Sequence, residues 1–410
     1  MQKCFSLFLS IILMLQLMVT ANAKTVTKEG EAVATVSSSA TVKNSKKEEK
    51  LPVEIKAKAV VLAEVSTGEI LLEYNADEKL YPASVTKIMT MLLVAEAITE
   101  NKISLSDVVV CSENASKKGG SQIWLEPGEE MTVNDLLKAT AIGSANDAAT
   151  LLGEYVAGSE EAFVELMNVR AKELGMTNTH FDNATGLDDT SDTHLTTARD
   201  IAKMSVELMK HDIIQNYTTV WMDSLRNGET ELVNTNKLVR FYNGTTGIKT
   251  GTTNKAGCSV SASAKRDGLH LVAVVMGSAN SNERFETAKA LLNYGFANYT
   301  LEELKIDDSA FSQVEVLGGE SKYVKPYVKE KNCVLLKKGE QERLEQTVVL
   351  QENAQAPVMQ NQRLGTVKFT LEGKAVVEFP LLASVQIEKL TFGTAFKRVM
   401  HFLASGEKIA

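Results

Sequence analysis

The sequence predicts an α+β protein. An antiparallel sheet flanked by helices should be followed by a small β-rich domain and a C-terminal amphipathic helix. Three observations predict it. From residue 54 to about 300 the apolar patterns run strand pair, helices, strand pair, helix. Beyond about Thr300 they shorten to brief β-like runs separated by turns. From Lys389 onward they switch to a helical period.

Length and charge set the frame. A chain of 410 residues can bury a core without staples and suggests two folded units. Lys plus Arg is 44 and Asp plus Glu is 52, a formal charge of −8, which argues against a general nucleic-acid binder.

At the N-terminus, Lys3 precedes an apolar run from Phe5 to Val19, and Ala21-Asn22-Ala23 supplies the small-x-small pattern of a signal-peptidase site. We read residues 1–23 as a signal peptide cleaved after Ala23, and the protein as exported. The alternative is an uncleaved anchor, for which the run falls short of the ~20 residues a spanning helix needs. Residues 24–52 contain no aromatics and are rich in Ser, Thr, Ala, Lys and Glu, the composition of a flexible linker.

Residues 54–74 read as two strands around a Ser66-Thr67-Gly68 turn. Pro82 tolerates a helix edge but not its interior, so a helix should begin near Ser84 and run to Ile98. Residues 134–153 and 160–175 also carry helical patterns. A small-residue stretch beginning at Ala139 offers a turn between two of them. Residues 239–251 and 256–276 alternate β-branched residues around glycines, as strands do. We place the main α+β domain at 53–300 and the small β domain at 301–388.

On a helix, Phe392, Phe396, Val399, Met400 and Leu403 share one side, while Lys397, Arg398 and His401 fall opposite. Residues 389–410 carry +3. A basic amphipathic helix of this kind suits an anionic membrane surface. The other reading is a terminal helix docked on its own domain.

Cys111, Cys258 and Cys333 are odd in number and widely spaced, so no disulfide framework follows. A Cys111–Cys258 pair stays open. The histidines show no metal-ligand spacing, and no metal or cofactor is expected. Trp124 and Trp221 read as packing residues. Glu165-Leu166-Met167-Asn168 lies inside an amphipathic pattern and reads as helix surface.

Three short patterns carry chemistry. In Ser84-Val85-Thr86-Lys87 a serine and a lysine three apart share a helix face. A neutral amine there can take the hydroxyl proton, and burial beside a second cation makes an amine neutral. Ser144-Ala145-Asn146 offers a hydroxyl for proton relay and an amide to hold the lysine and a substrate carbonyl. Lys249-Thr250-Gly251, on an edge-strand pattern, offers a cation, a hydroxyl and a glycine that lets substrate approach the backbone. Singly these are weak. Ser405-Gly406-Glu407-Lys408, Ser112-Glu113-Asn114 and Ser278-Ala279-Asn280 match the same patterns elsewhere. In this order and context, however, chance is a poor explanation.

The set resembles the signature of penicillin-binding proteins and serine β-lactamases. Tyr81-Pro82-Ala83-Ser84, Asp147-Ala148-Ala149 after Asn146, Asn234-Thr235-Asn236-Lys237-Leu238 and Thr246-Gly247-Ile248-Lys249-Thr250-Gly251-Thr252-Thr253 narrow it. They resemble the low-molecular-mass D-alanyl-D-alanine carboxypeptidases. The resemblance implies a β-lactamase/transpeptidase-like domain that cuts the terminal D-Ala-D-Ala bond of wall stem peptides and is acylated by β-lactams. It implies Ser84 as nucleophile, Lys87 as base, Ser144 and Lys249 as proton relay and electrostatic support, and Asn146 as the orienting amide. The N–H groups of Ser84 and Thr252 would form the oxyanion hole. Thr250, Gly251 and Thr252 would bind substrate together with Arg284, which matches the family's carboxylate-binding arginine. A solvated arginine at a helix start is the bland alternative for Arg284. A β-lactamase and a silent wall-binding scaffold are the rival functions. The first lacks a deacylation glutamate here, and the second would not need the intact motif residues.

Overall fold

The structure is a computed structural model that describes residues 51–188, 191–329 and 333–405. The signal-peptide and linker readings for 1–50 lie outside the described residues, as does most of the Ser405–Lys408 motif match. Strand β1 (Ala59–Glu64) is buried along its whole length, because its alternating side chains meet a separate apolar layer on each face. Val60 and Leu62 pack with Val260, Ala262, Ala273 and Val275 toward Phe285, Ala288, Leu291 and Leu292. Ala59, Val61 and Ala63 face the larger helical core that holds Ile88, Met91, Leu92 and Ile201. β1 pairs with β2 (Ile70–Tyr74) and lies between it and three further strands. These are β3 (Thr245–Thr253), β4 (Gly257–Arg266) and β5 (Leu269–Ser278). The sheet order is β2-β1-β5-β4-β3, antiparallel throughout, which places β3 on an edge.

The stretch 256–276, read as one strand pattern, divides into β4 and β5 at Asp267-Gly268. Both residues have positive φ, +47° and +84°, the mark of a type I′ hairpin turn. Residues 238–241 form a helical turn instead of the start of a strand.

The expected first helix begins with a 3₁₀ turn, Ala83–Thr86, and continues as α1 (Lys87–Thr99). Residues 134–153 form two helices rather than one: α2 (Val133–Lys138) and α3 (Asn146–Ala157), separated by a π-helical turn over Ala139–Gly143. Ser144 closes that turn in the left-handed conformation (φ 62°). Helices α4 (Glu160–Glu173) and α5 (Ala198–Leu208) complete this layer. In α4, Glu165 and Leu166 are on the surface and Met167 is buried. Helix α6 (Ser281–Asn298) covers the opposite face, capped by the Asn280 side chain, which accepts from the N–H groups of Asn282 and Glu283. One of the stray Ser-x-Asn matches is thus a helix cap. In the other, Ser112 caps a short helix, and it and Asn114 both hold Glu154.

After α6 the chain builds a β-rich part with its own small apolar clusters. Its four-stranded antiparallel sheet includes Leu344–Leu350, Arg363–Leu371 and Lys374–Ala383. Helix α7 (Phe392–Ser405) ends the described chain. No helix among the described residues is long and apolar enough to cross a membrane. Cys111, Cys258 and Cys333 are free thiols, so the Cys111–Cys258 pair is not formed.

Two buried histidines tie the fold to pH. His194 and His270 are each pushed down to about 4, chiefly by burial. Unfolding releases both to the ordinary value near 6.5, so their contribution is complete above about pH 6.5 and is lost as pH falls toward 4. At about 3 kcal/mol per imidazole, the loss rivals the net stability of a domain. Denaturant midpoints should fall steeply between pH 6.5 and 4. A flat profile there would contradict this assignment.

Candidate active site

Three structural pieces meet at Lys87. The first is the 3₁₀ turn at the start of α1. Residues three apart eclipse one another in a 3₁₀ helix, so Ser84 Oγ lies 3.0 Å from Lys87 Nζ. The tighter turn keeps the side-by-side placement that the spacing predicts. Ala83, just before the serine, is held at φ +49°, a costly conformation for an L-residue.

The second piece is the break between α2 and α3. The left-handed Ser144 lets α3 start afresh at Asn146, whose Oδ1 accepts from Lys87 Nζ at 2.5 Å. The Asn146 amide nitrogen donates to Gly119 O at 2.6 Å, which fixes the amide's orientation. The third piece is the 183–187 turn. Asn183 Oδ1 accepts from the N–H groups of Thr185 and Gly186 and from the Thr185 hydroxyl. This holds the Thr185 carbonyl toward Lys87 Nζ at 3.0 Å. Gly186 makes the approach feasible. A Cβ there would lie 1.8 Å from Ala83 O, and the residue has φ +84°.

These contacts define the lysine's chemistry. Lys87 is fully buried. Burial and the charge of Lys249 hold its amine well below the usual lysine range, against the opposing pull of Asp147. A neutral amine has two hydrogens and one lone pair. Asn146 Oδ1 and Thr185 O can only accept, so they take both hydrogens. The lone pair is left for Ser84, the one partner with a proton to give. The arrangement is a hydroxyl poised to lose its proton to an amine.

β3 forms the other wall. Lys249 is also fully buried and donates to Thr250 O at 3.2 Å. Its amine is pushed down to about 7 by burial and by the Arg284 charge. Gly251 packs against the Ser84 turn. A Cβ there would lie 2.7 Å from Pro82 O and 3.0 Å from Ser84 N. The glycine therefore permits a close approach of the Ser84 turn. Thr250 Oγ1 donates to Thr235 Oγ1 at 2.7 Å.

Arg284 lies in the first turn of α6 and is buried, not solvated. Its Nη1 reaches Gly251 O, Ser259 O and Thr252 Oγ1, the last at 2.9 Å. The Thr252 oxygen accepts from the guanidinium, while its own hydroxyl hydrogen is donated to Cys258 Sγ at 3.8 Å. Ser144 is buried, but among the described residues its hydroxyl makes no hydrogen bond to either lysine.

Several supports lacked a linear signal. His194 accepts the Asp182 N–H on Nδ1 at 3.1 Å, so its proton is on Nε2, 2.9 Å from Thr86 Oγ1. It pins the 182–187 segment to the residue beside Lys87. Asp147 is buried and accepts from the N–H groups of Ile123 and Leu125. Trp124, expected to pack, is 75% exposed. Among the described residues no cluster of His, Cys, Asp or Glu has the makings of a metal site.

The family model for D-alanyl-D-alanine carboxypeptidases matches residues 42–280. The chain belongs to the D-alanyl-D-alanine carboxypeptidase family. The family model for the penicillin-binding protein 5 C-terminal domain matches residues 299–389. D-alanyl-D-alanine carboxypeptidase DacF of Bacillus subtilis is 42% identical over 348 residues, covering 84% of this chain and 89% of that protein. Penicillin-binding protein 5 from Haemophilus influenzae superposes with a TM-score of 0.74 at 29% identity, covering 83% of this chain and 99% of that one. Penicillin-binding protein D2 from Listeria monocytogenes, solved in its ampicillin-bound form, gives a TM-score of 0.54 at 31% identity over 59% of this chain and 98% of that one. The carboxypeptidase fold therefore consists of the α+β part around Ser84 and the β-rich part after α6, as the sequence predicts.

In this carboxypeptidase the two lysines are electrostatically coupled, and that predicts a pH effect. Lys249 helps to depress Lys87. In Lys249→Gln that push is gone and the Lys87 amine must rise. With Lys87 read as the base, the acidic limb of the acylation-rate profile should then move to higher pH, because a protonated amine has no lone pair for the serine proton. A limb that stays in place would contradict the coupling.

Proposed function

We propose that the protein removes the terminal D-alanine of wall stem peptides through an acyl-enzyme on Ser84. The observation that carries this reading is the Lys87 amine, whose two acceptor-only partners leave its lone pair for the serine. Ser84 Oγ attacks the carbonyl of the penultimate D-alanine while Lys87 takes its proton. The oxygen that gains charge is met by the N–H groups of Ser84 and Thr252, each such donor being worth ~10²–10³ in rate. Lys87 passes that proton through the Ser144 hydroxyl to the departing amine, the C–N bond breaks to release D-alanine, and Lys87 is neutral again. Water, deprotonated at Lys87, then splits the ester and restores Ser84. Asn146 orients Lys87 and the substrate amide. Lys249 supplies positive charge, and Thr250 and Thr252, backed by Arg284, receive the substrate carboxylate. A β-lactam enters the same path, but its leaving amine stays tethered to the acyl group.

The direct test is D-alanine release from a peptide ending in D-Ala-D-Ala. The unmodified protein should release it and Ser84→Ala should not. Release by the variant would overturn the assignment.

With residues 1–23 as an export signal and 389–410 as a surface helix, this chemistry lies outside the cytoplasm, on the membrane surface. N-terminal sequencing of the exported protein should begin at Lys24; a start at Met1 would contradict cleavage. For the tail, the support is exposure. Phe392 is 86% exposed and Leu403 69%, and Phe396, Val399 and Met400 are exposed beside them. A helix docked on its own domain would bury that face. Deleting 391–410 should abolish binding to anionic phospholipid vesicles while leaving peptide hydrolysis intact. Undiminished vesicle binding would remove the anchor.

A further inference from the structure

Trp124 is at odds with its surroundings. Its side chain is 75% exposed, while Ile123 and Leu125 on either side are buried. Its φ is +60°, a left-handed conformation that a bulky aromatic adopts only where neighbouring structure imposes it. The imposing contacts are visible. The N–H groups of Ile123 and Leu125 both donate to Asp147 Oδ2, each at 3.1 Å. The Ile123 carbonyl accepts from Arg226 Nη1 at 2.9 Å. Asp147 follows Asn146 in α3, and Asn146 ties down the same strap twice more. Its N–H donates to Ser121 O at 2.7 Å and its side-chain nitrogen to Gly119 O at 2.6 Å. At Gly120 a Cβ would sit 2.7 Å from that side-chain nitrogen.

The strap 119–125 is thus built on the amide that holds Lys87 and on the carboxylate next to it. Stability alone would select glycine or asparagine at a left-handed position facing water. An indole there, 75% exposed, gains little from packing, yet its backbone is held on a strap tied to Asn146 and Asp147. The opposite side, formed by Thr252 and Arg284, is the one read above as receiving the anionic end of the substrate. In that reading the chain leading away from the scissile carbonyl leaves this end toward Asn146, to which the strap is tied.

We propose that Trp124 is a specificity-determining residue that docks the acyl side of the substrate, the peptide chain N-terminal to the scissile bond. An indole offers that chain a broad apolar face and one N–H donor at low entropic cost. The proposal rests on the reading of Ser84 as nucleophile and Thr252 as part of the carboxylate site.

The chain has two tryptophans, so Trp221→Phe leaves Trp124 as the sole indole emitter. In a Trp221→Phe, Ser84→Ala protein, which does not turn over, a pentapeptide ending in D-Ala-D-Ala should shift or quench the emission. Acetyl-D-Ala-D-Ala should not. In the active protein, Trp124→Ala should lower kcat/KM for the pentapeptide by about 3- to 10-fold relative to acetyl-D-Ala-D-Ala. Acylation by a small penicillin should stay unchanged. Trp124→Gly, which relieves the left-handed strain, should melt no lower than the unmodified protein yet show the same loss of selectivity. An emission silent to the pentapeptide, or equal losses on long and short substrates, would overturn the proposal. The emission arm needs no catalysis, so it decides docking separately. Failure of the unmodified protein to be acylated would instead overturn the catalytic reading.

Discussion

Replacing Lys87 with methionine should leave a folded protein whose acylation by penicillin is slower by about 10²–10⁴-fold, the range expected for a lost general base. The side chain is fully buried, and methionine is unbranched and apolar enough to occupy the space. The structural cost comes from Asn146 Oδ1 and Thr185 O, which lose their donor, at about 1–3 kcal/mol for a buried group left unpaired. Removing a buried amine offsets part of that cost. Stopped-flow measurement with a fluorescent penicillin separates the two effects, because a melting curve reports the structural one alone. An acylation rate within tenfold of the unmodified protein, roughly 1.4 kcal/mol of barrier, would mean that another group takes the Ser84 proton.

Gly186→Ala should damage both stability and chemistry although Gly186 carries no functional group. The added Cβ would lie 1.8 Å from Ala83 O and 2.4 Å from Ala83 C, both backbone atoms, so no rotamer change relieves the clash. The φ of +84° adds strain for any L-residue, and together these should cost at least about 2 kcal/mol. The turn must swing away from Ala83 and carry the Thr185 carbonyl off Lys87. A displacement near 1 Å at a catalytic group is enough for about a 10²-fold loss in rate. Parallel thermal melts and acylation rates check this. A variant that matches the unmodified protein in both would show that the turn is not a rigid prop for Lys87.

The parts of the site that were legible in the sequence are those whose partners lie within one turn. Ser84 and Lys87 are three apart, so any helical turn brings them together, and the change from α to 3₁₀ altered nothing essential. Ser144 and Asn146 were legible because small residues interrupt a helical pattern. The π-turn and the left-handed serine are the form that interruption takes. Thr185 was hidden because it contributes a main-chain carbonyl, which leaves no mark on residue identity, although Asn183 and Gly186 are turn-forming residues. His194 was hidden because its partner Thr86 is 108 positions away.

At Asp267-Gly268 the signal was present. An Asp-Gly pair between alternating runs is a hairpin turn, and it divides 256–276 into two strands. Trp124 failed for a different reason. Large aromatics usually pack, and the strap that turns this one outward is held by Asp147 and Arg226, neither of which is near it in sequence. Arg284 shows the limit of a helix-start reading. It begins a helix as expected, but it points into the sheet to hold β3 rather than into water.

We propose that Ser84 is the residue that becomes acylated. The most direct measurement is to label the intact protein with penicillin, digest it, and locate the adduct by mass spectrometry. A single penicilloyl group is expected on the peptide that contains Ser84, and none on the Ser84→Ala protein. An adduct on any other residue, or equal labelling of the variant, would contradict it.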